Sequence, residues 1–140
     1  MSANGSFVSR GRTVTEADVV AFAALTGDWH PQHSDAVWAA ESAFGERIAH
    51  GMLIVSLAVG LVDFDPRRVV ALRRIRDVVF KRPVRLGDTI HVEVTEADRR
   101  PVGDDTFLVA WNWRIVNQDE ELVCRVAIEA LYREPVEVTA

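Results

Sequence analysis

His50-Gly51-Met52-Leu53-Ile54-Val55-Ser56-Leu57-Ala58-Val59-Gly60-Leu61-Val62 is the stretch on which the fold turns. It is the most apolar run of the chain and carries no charge from Gly51 to Val62. A helix over these residues shows apolar side chains in every direction, so it is expected to be surrounded by protein. About twelve residues fall short of the roughly twenty that a bilayer crossing needs. The run therefore reads as a core helix, with no membrane partner.

Upstream of this run the chain reads as helical. Thr15-Glu16-Ala17-Asp18 has the form of a helix start, with Thr15 as N-cap and an acid at the third helical position. Val19, Phe22, Ala23 and Thr26 then share a face, and Gly27 suits the left-handed residue that ends a helix. Gly27-Asp28-Trp29-His30-Pro31-Gln32-His33 has no period and is expected to be a loop, after which Ser34-Asp35 caps a short helix through Ala40. Downstream, from Arg68 onward, the period changes to two. Val69 to Phe80 forms a first strand, and Gly87-Asp88 marks a turn. Ile90, Val92 and Val94 alternate in the second strand, and Phe107, Val109, Trp111, Trp113 and Ile115 in the third. After a hairpin loop at 117–120, Leu122, Cys124, Val126, Ile128, Ala130 and Tyr132 share a face. Long antiparallel strands and one wholly apolar helix predict an α+β fold, a curved sheet wrapped around that helix. Leu108 beside Val109 and Val123 beside Cys124 put apolar residues on both strand faces, which predicts a homodimer or higher oligomer.

Composition narrows the function classes. The chain has 140 residues, 49% hydrophobic and 26% charged, which suits a single globular domain over 1–140 and excludes disorder. Sixteen Lys and Arg against 21 Asp and Glu give a net charge of −5, which argues against a nucleic-acid partner. One cysteine, Cys124, excludes an internal disulfide and any multi-cysteine metal site, and its apolar strand face reads as core. Met1-Ser2-Ala3-Asn4-Gly5-Ser6 lacks the charged-then-apolar layout of a signal peptide, so a cytoplasmic location is expected. Trp29, Trp38, Trp111 and Trp113 read as core or dimer packing, and His91 as a surface residue.

Two places can carry chemistry. Asp28 and His33 flank Pro31, whose ring limits backbone freedom. A carboxylate and an imidazole on one loop can share a water, one accepting its proton while the other donates. The same residues also suit architecture, with Asp28 closing a turn and His33 capping the next helix. At the second place, Gly51 lets a ligand approach the backbone. The free N–H groups of a helix's first turn can hold a carbonyl oxygen that gains negative charge. His50 beside it suits either a capping or a chemical role. Arg67, Arg68, Arg73, Arg74, Arg76, Lys81, Arg82 and Arg85 cluster within 67–85, which fits either a solvated strand face or contacts to phosphate.

Asp28-Trp29-His30-Pro31-Gln32-His33, His50-Gly51-Met52 and Phe80-Lys81-Arg82-Pro83-Val84 with Gly87-Asp88 together resemble the MaoC-like group that includes (R)-specific enoyl-CoA hydratases. The resemblance runs from about Thr15 to the last strand. It implies a hot-dog fold, a dimer, and reversible hydration of a trans-2-enoyl thioester to the (R)-3-hydroxyacyl thioester. It also implies that Asp28 and His33 are the catalytic pair of an Asp-x-Asn-Pro-x-His motif, with Gly51 binding the thioester oxygen. His30 stands where that motif has Asn, and Val59 where some members carry a polar residue, with Ser56 the nearby hydroxyl. His30 and His50 are expected to modulate the pair, and Lys81, Arg82 and Arg85 to contact phosphates of coenzyme A or of a carrier protein's phosphopantetheine. Neither a metal nor a redox cofactor is expected, because the thioester acidifies its own α-carbon. Two other readings stand beside this one. A hot-dog thioesterase would place a carboxylate on or beside the central helix, yet Met52 to Val62 has none and Asp63 lies at its far end. A non-catalytic acyl-thioester-binding subunit of a heteromeric dehydratase would have no use for both Asp28 and His33.

Overall fold

Local signals and long-range pairing agree along most of the chain. The computed structural model describes residues 5–134, so both ends of the domain expected over 1–140 lie outside the described residues. The elements run β1 (Ser6–Val8), β2 (Arg12–Thr13), α1 (Glu16–Thr26), α2 (Pro31–Ser34), α3 (Ala36–Ala40), α4 (Gly51–Leu61), β3 (Val69–Phe80), β4 (Thr89–Pro101), β5 (Thr106–Val116) and β6 (Leu122–Arg133). The strands pair antiparallel in the order β1-β4-β5-β6-β3, and β2 also pairs with β4. β1 and β2 are too short to show a period, and their pairing with β4 comes only from the tertiary fold.

Alternation in the strands does what it predicts. Val92, Val94, Val109, Trp111, Trp113, Ile115, Cys124, Val126 and Ile128 are buried against Leu53, Ile54, Val55, Ala58 and Leu61 of α4. Each large side chain so buried contributes about 1.5–3 kcal/mol. The sheet wraps α4, and this is the hot-dog arrangement.

α1 starts at a complete capping box, with the Thr15 hydroxyl accepting from Asp18 N and the Asp18 carboxylate accepting from Thr15 N. It ends at Gly27, whose φ of 78° is the left-handed conformation expected there. No helix among the described residues is long and apolar enough to cross a membrane.

Four expectations need correcting. First, α4 is not enclosed all round within one chain: Met52, Ser56 and Gly60 form an open stripe, because the sheet reaches only the opposite face. Second, Leu108 and Val123 are already buried inside the chain, so they do not call for a partner. Four exposed apolar residues instead gather on one strand, β3, at Val70, Leu72, Ile75 and Phe80. Third, 27–33 is not all loop: Pro31 opens α2, where its missing N–H costs nothing. Fourth, Trp29 and Trp38 are about half exposed, which removes core packing from their expected roles and leaves dimer packing, and Thr26 is exposed, its hydroxyl spent on Phe22 O.

Candidate active site

Residues 48 to 51 run in an extended path before α4, and each holds a different piece of one cleft. Ile48 N donates to Gln32 O at 3.1 Å, and Ile48 O accepts from His33 Nδ1 at 2.7 Å. Ala49 N donates to Val84 O at 2.8 Å, which pins the path to the segment after β3. His50 Nε2 donates to Asp28 O at 2.9 Å. Gly51 begins α4, and its N-cap His50 makes no side-chain bond to the first turn. The first-turn N–H groups therefore have no side-chain cap and stay available to a ligand.

Around this path lies a cleft of about 480 Å³. Asp28, His33, His50 and Gly51 line it together, with Lys81 and Arg82 at its edge and Phe22, Phe44, Phe80 and Cys124 among its apolar walls. The two sequence-derived places thus meet in one site. Asp28, His33 and His50 offer atoms that lie within 4.8 Å of one another. A Cβ on Gly51 would lie 2.8 Å from Phe80 ring carbons, so any other residue there would have to push that half-exposed ring aside.

The hydrogen bonds assign the proton positions. Ile48 O is an acceptor only, so His33 Nδ1 carries the hydrogen and Nε2 presents its lone pair. Burial holds the His33 pKa below its ordinary value of 6.5, opposed by the Ile48 bond; His50 lowers it further, Asp28 raises it, and His30 adds a small lowering effect. His33 is therefore neutral and basic at neutral pH. Asp28 is exposed at the cleft, and its Oδ1 accepts from His30 N at 3.3 Å.

His30 meets the His33 ring edge-on at 6.2 Å but spends its own nitrogen on the loop. Its Nδ1 accepts from Gln32 N at 3.1 Å and caps α2, and its ring stands edge-on to Trp38. Asn and His can both supply an acceptor at this cap, which is the physical sense of the exchange at this motif position. His33 caps nothing: it lies within α2, and the next helix is capped by Asp35. Arg82 reaches Glu121 and Leu122 O, and Arg85 lies outside the cleft lining, held by Glu46 and Phe44 O. Burial pushes the Cys124 thiol up to about 11, so it is a wall and not a nucleophile. The carboxylate and two imidazoles are also the donor types of a divalent metal site. The His33 and His50 rings stack at 3.8 Å and 25°, so their in-plane lone pairs do not converge on one ion at about 2 Å. Ile48, Phe80 and Gln32 were not legible as site residues, since two act through backbone atoms and Phe80 through the space it fills.

Comparison with known proteins gives the same picture. The model of the MaoC-like domain matches residues 4–112. The chain is 47% identical over 115 residues to Protein MaoC of Klebsiella aerogenes, across 78% of this chain and 34% of that protein. It is 41% identical over 78 residues to an (R)-specific enoyl-CoA hydratase of Aeromonas caviae, across 56% of this chain and 58% of that one. The chain thus spans about a third of the first relative and under two thirds of the second. A solved (R)-hydratase from A. caviae superposes with a TM-score of 0.75 at 30% identity, across 96% of this chain and 98% of that chain. A Mycobacterium tuberculosis protein with a double hot-dog fold superposes at 0.82 and 19% identity, across 100% of this chain and 44% of that one, and speaks to the fold alone. With its helix-wrapping sheet, its Asp28–His33 cleft and the match over 4–112, the chain belongs to the MaoC-like domain family.

Proposed function

We propose that this chain hydrates trans-2-enoyl thioesters to (R)-3-hydroxyacyl thioesters, and catalyses the reverse dehydration. One observation carries the reading: His33, with Nδ1 committed to Ile48 O, aims a bare Nε2 into the same cleft as the Asp28 carboxylate and the start of α4. A water held between them gives its proton to His33 Nε2 as its oxygen bonds to C3 of the enoyl group. The electron pair of the C2–C3 double bond moves toward the thioester oxygen, which the first-turn N–H of Gly51 stabilises. Nε2 then returns the proton to C2, so one water is added and nothing is left over. Asp28 accepts a hydrogen bond from the water's other O–H, which stays on the oxygen as the product hydroxyl, and stabilises the transient imidazolium. No cofactor enters, since the thioester itself stabilises charge at C2.

Lys81 and Arg82 stand where a phosphorylated carrier, coenzyme A or phosphopantetheine, would enter. Arg85 is the weaker candidate, because Glu46 already holds it. Among the described residues β3 has no strand on its outer edge, and this edge, with Val70, Leu72 and Ile75 exposed, supports a homodimer formed by β3 pairing with its copy. A buried, free Cys124 suits a reducing cytoplasm.

The deciding experiment follows enoyl-CoA absorbance with purified protein across crotonyl, octenoyl and bulky polycyclic substrates. Loss of the enoyl signal with the thioester intact is expected. Thioester cleavage with the enoyl group intact would establish the thioesterase instead. Silence until a second hot-dog chain is added would establish the partner subunit. Light scattering at micromolar concentration is expected to give at least a dimer mass, and a strictly monomeric mass overturns the β3 pairing.

A further inference from the structure

We propose that His50 is a positioning residue of this site, joining the backbone of Asp28 to the ring of His33 so that both face one water. The inference deepens the hydratase reading and rests on it. His50 is only 3% exposed, and its ring is wedged between two others. It stacks on His33 at 3.8 Å and 25°, and meets the edge of Phe22 at 5.0 Å on another side. Its Nε2 reaches Asp28 O at 2.9 Å, across 22 positions of sequence.

Each of these features bears on why the residue is histidine. Asp28 O only accepts, so Nε2 must carry the hydrogen. A flat ring is needed to stack on His33, and a donor at its far end is needed to reach the carbonyl. Phe supplies the ring without the donor, and Gln supplies a donor without the ring. A residue in this N-cap place ordinarily spends its side chain on the first helical turn, and His50 does not. That choice leaves the first-turn N–H groups to the substrate and turns the side chain to the loop that bears the carboxylate. His50 Nδ1 is buried without a hydrogen-bond partner among the described residues, so the ring's only polar tie is to the loop that bears Asp28.

The groups that face His33 are Asp28 and His30 from its own loop, His50 from the start of α4, and Lys81 and Arg82 across the cleft. Removing His50 while keeping a ring in its place removes the nearest imidazole and little of the burial. His33 should then accept a proton more readily.

His50→Phe and His50→Gln, compared with the parent, test this. Kinetics over a pH series and an NMR titration of the His33 imidazole are read on all three proteins. For His50→Phe, kcat should fall by about tenfold or more with KM within about threefold, since misplaced reacting groups cost rate more than binding. The acid limb of kcat/KM and the His33 titration should both move to higher pH. His50→Gln should recover part of kcat through its amide donor. If both variants keep kcat within about threefold and leave the His33 titration unmoved, His50 only fills space and the proposal is overturned. Should His50→Phe fail to fold, His50→Gln decides by the same criteria. The titration needs no turnover: a parent inactive on every enoyl-CoA sinks the hydratase reading, while a His33 titration unmoved in both variants sinks the link from His50 to His33 whatever the turnover.

Discussion

The two ends of α4 solve opposite problems with the same helix. At its start, short elements bring polar groups together around an open cleft: a four-residue helix carries His33, and a loop carries Asp28. Beyond its last turn, Phe64 of the following loop joins rings carried by two long strands, beside a second cleft of about 560 Å³ lined by Asp63, Asp65, Arg67, Arg68 and Tyr132. Phe64 meets Trp111 at 6.3 Å and Trp113 at 6.1 Å, and Trp111 meets Tyr132 at 5.3 Å. That end leaves both indole N–H groups and the Tyr132 hydroxyl unpartnered among the described residues, and burial pushes the Tyr132 pKa up to about 12. Apolar area outweighs the lost hydrogen bonds there. At the other end, hydrogen bonds to single carbonyls outweigh packing. Reactivity and stability are thus separated along one helix axis, so substitutions at the two ends should move different observables.

The largest effect should come from the dyad. Asp28→Asn and His33→Gln should each lower kcat by about 10²–10⁴-fold, with the double variant little worse than the worse single. Asp28 is exposed, so its variant should melt like the parent; His33→Gln loses the Ile48 bond and should cost about 1 kcal/mol. A kcat within about threefold in both singles would erase the contrast between the two ends. At the aromatic end, Trp111→Ala should cost about 3–5 kcal/mol in denaturant titration, while kcat per folded molecule stays within about threefold. A loss of turnover without a loss of stability would show that the ends are coupled.

A smaller signature lies in pH. The folded state holds the His33 pKa below 6.5, so the unfolded chain binds that proton first. Its contribution to stability is whole above about 6.5 and is lost as pH falls from there through the folded value, with a slope of at most about 1.4 kcal/mol per pH unit. The lowered carboxylates Glu16, Asp18 and Asp65 act in a separate window, below their ordinary values of 4.5 or 3.8. Equilibrium unfolding from pH 8 to 5 should show the slope in the parent and not in His33→Gln. The smallest effect is expected at His30. His30→Asn keeps an acceptor for Gln32 N, so melting should hold and kcat stay within about threefold, with the acid limb rising only slightly because His30 adds the smallest of the lowering effects at His33. A large rise would show that His30 acts on the pair more strongly than its place at the α2 cap implies.

Sequence alone determined everything here that depends on period and on neighbours in the chain. The Thr15 capping box, the stop at Gly27, the alternation of β4 to β6 and the apolar α4 follow from spacing that local geometry enforces. The three motifs also named Asp28, His33 and Gly51 before any contact was known. Only the tertiary structure decided what depends on a partner far along the chain. Ile48 sets the tautomer of His33 through a backbone carbonyl, which any residue there would carry. His50 turns from its own helix to Asp28 O, and Phe80 fills the space above Gly51. Pairing left β3 at an edge of the sheet, although its sequence reads only as one more long strand. Backbone groups have no sequence signature, and the worth of a side chain depends on what the fold sets against it. The polar residues that meet in the cleft were therefore legible, and the groups that hold them there were not.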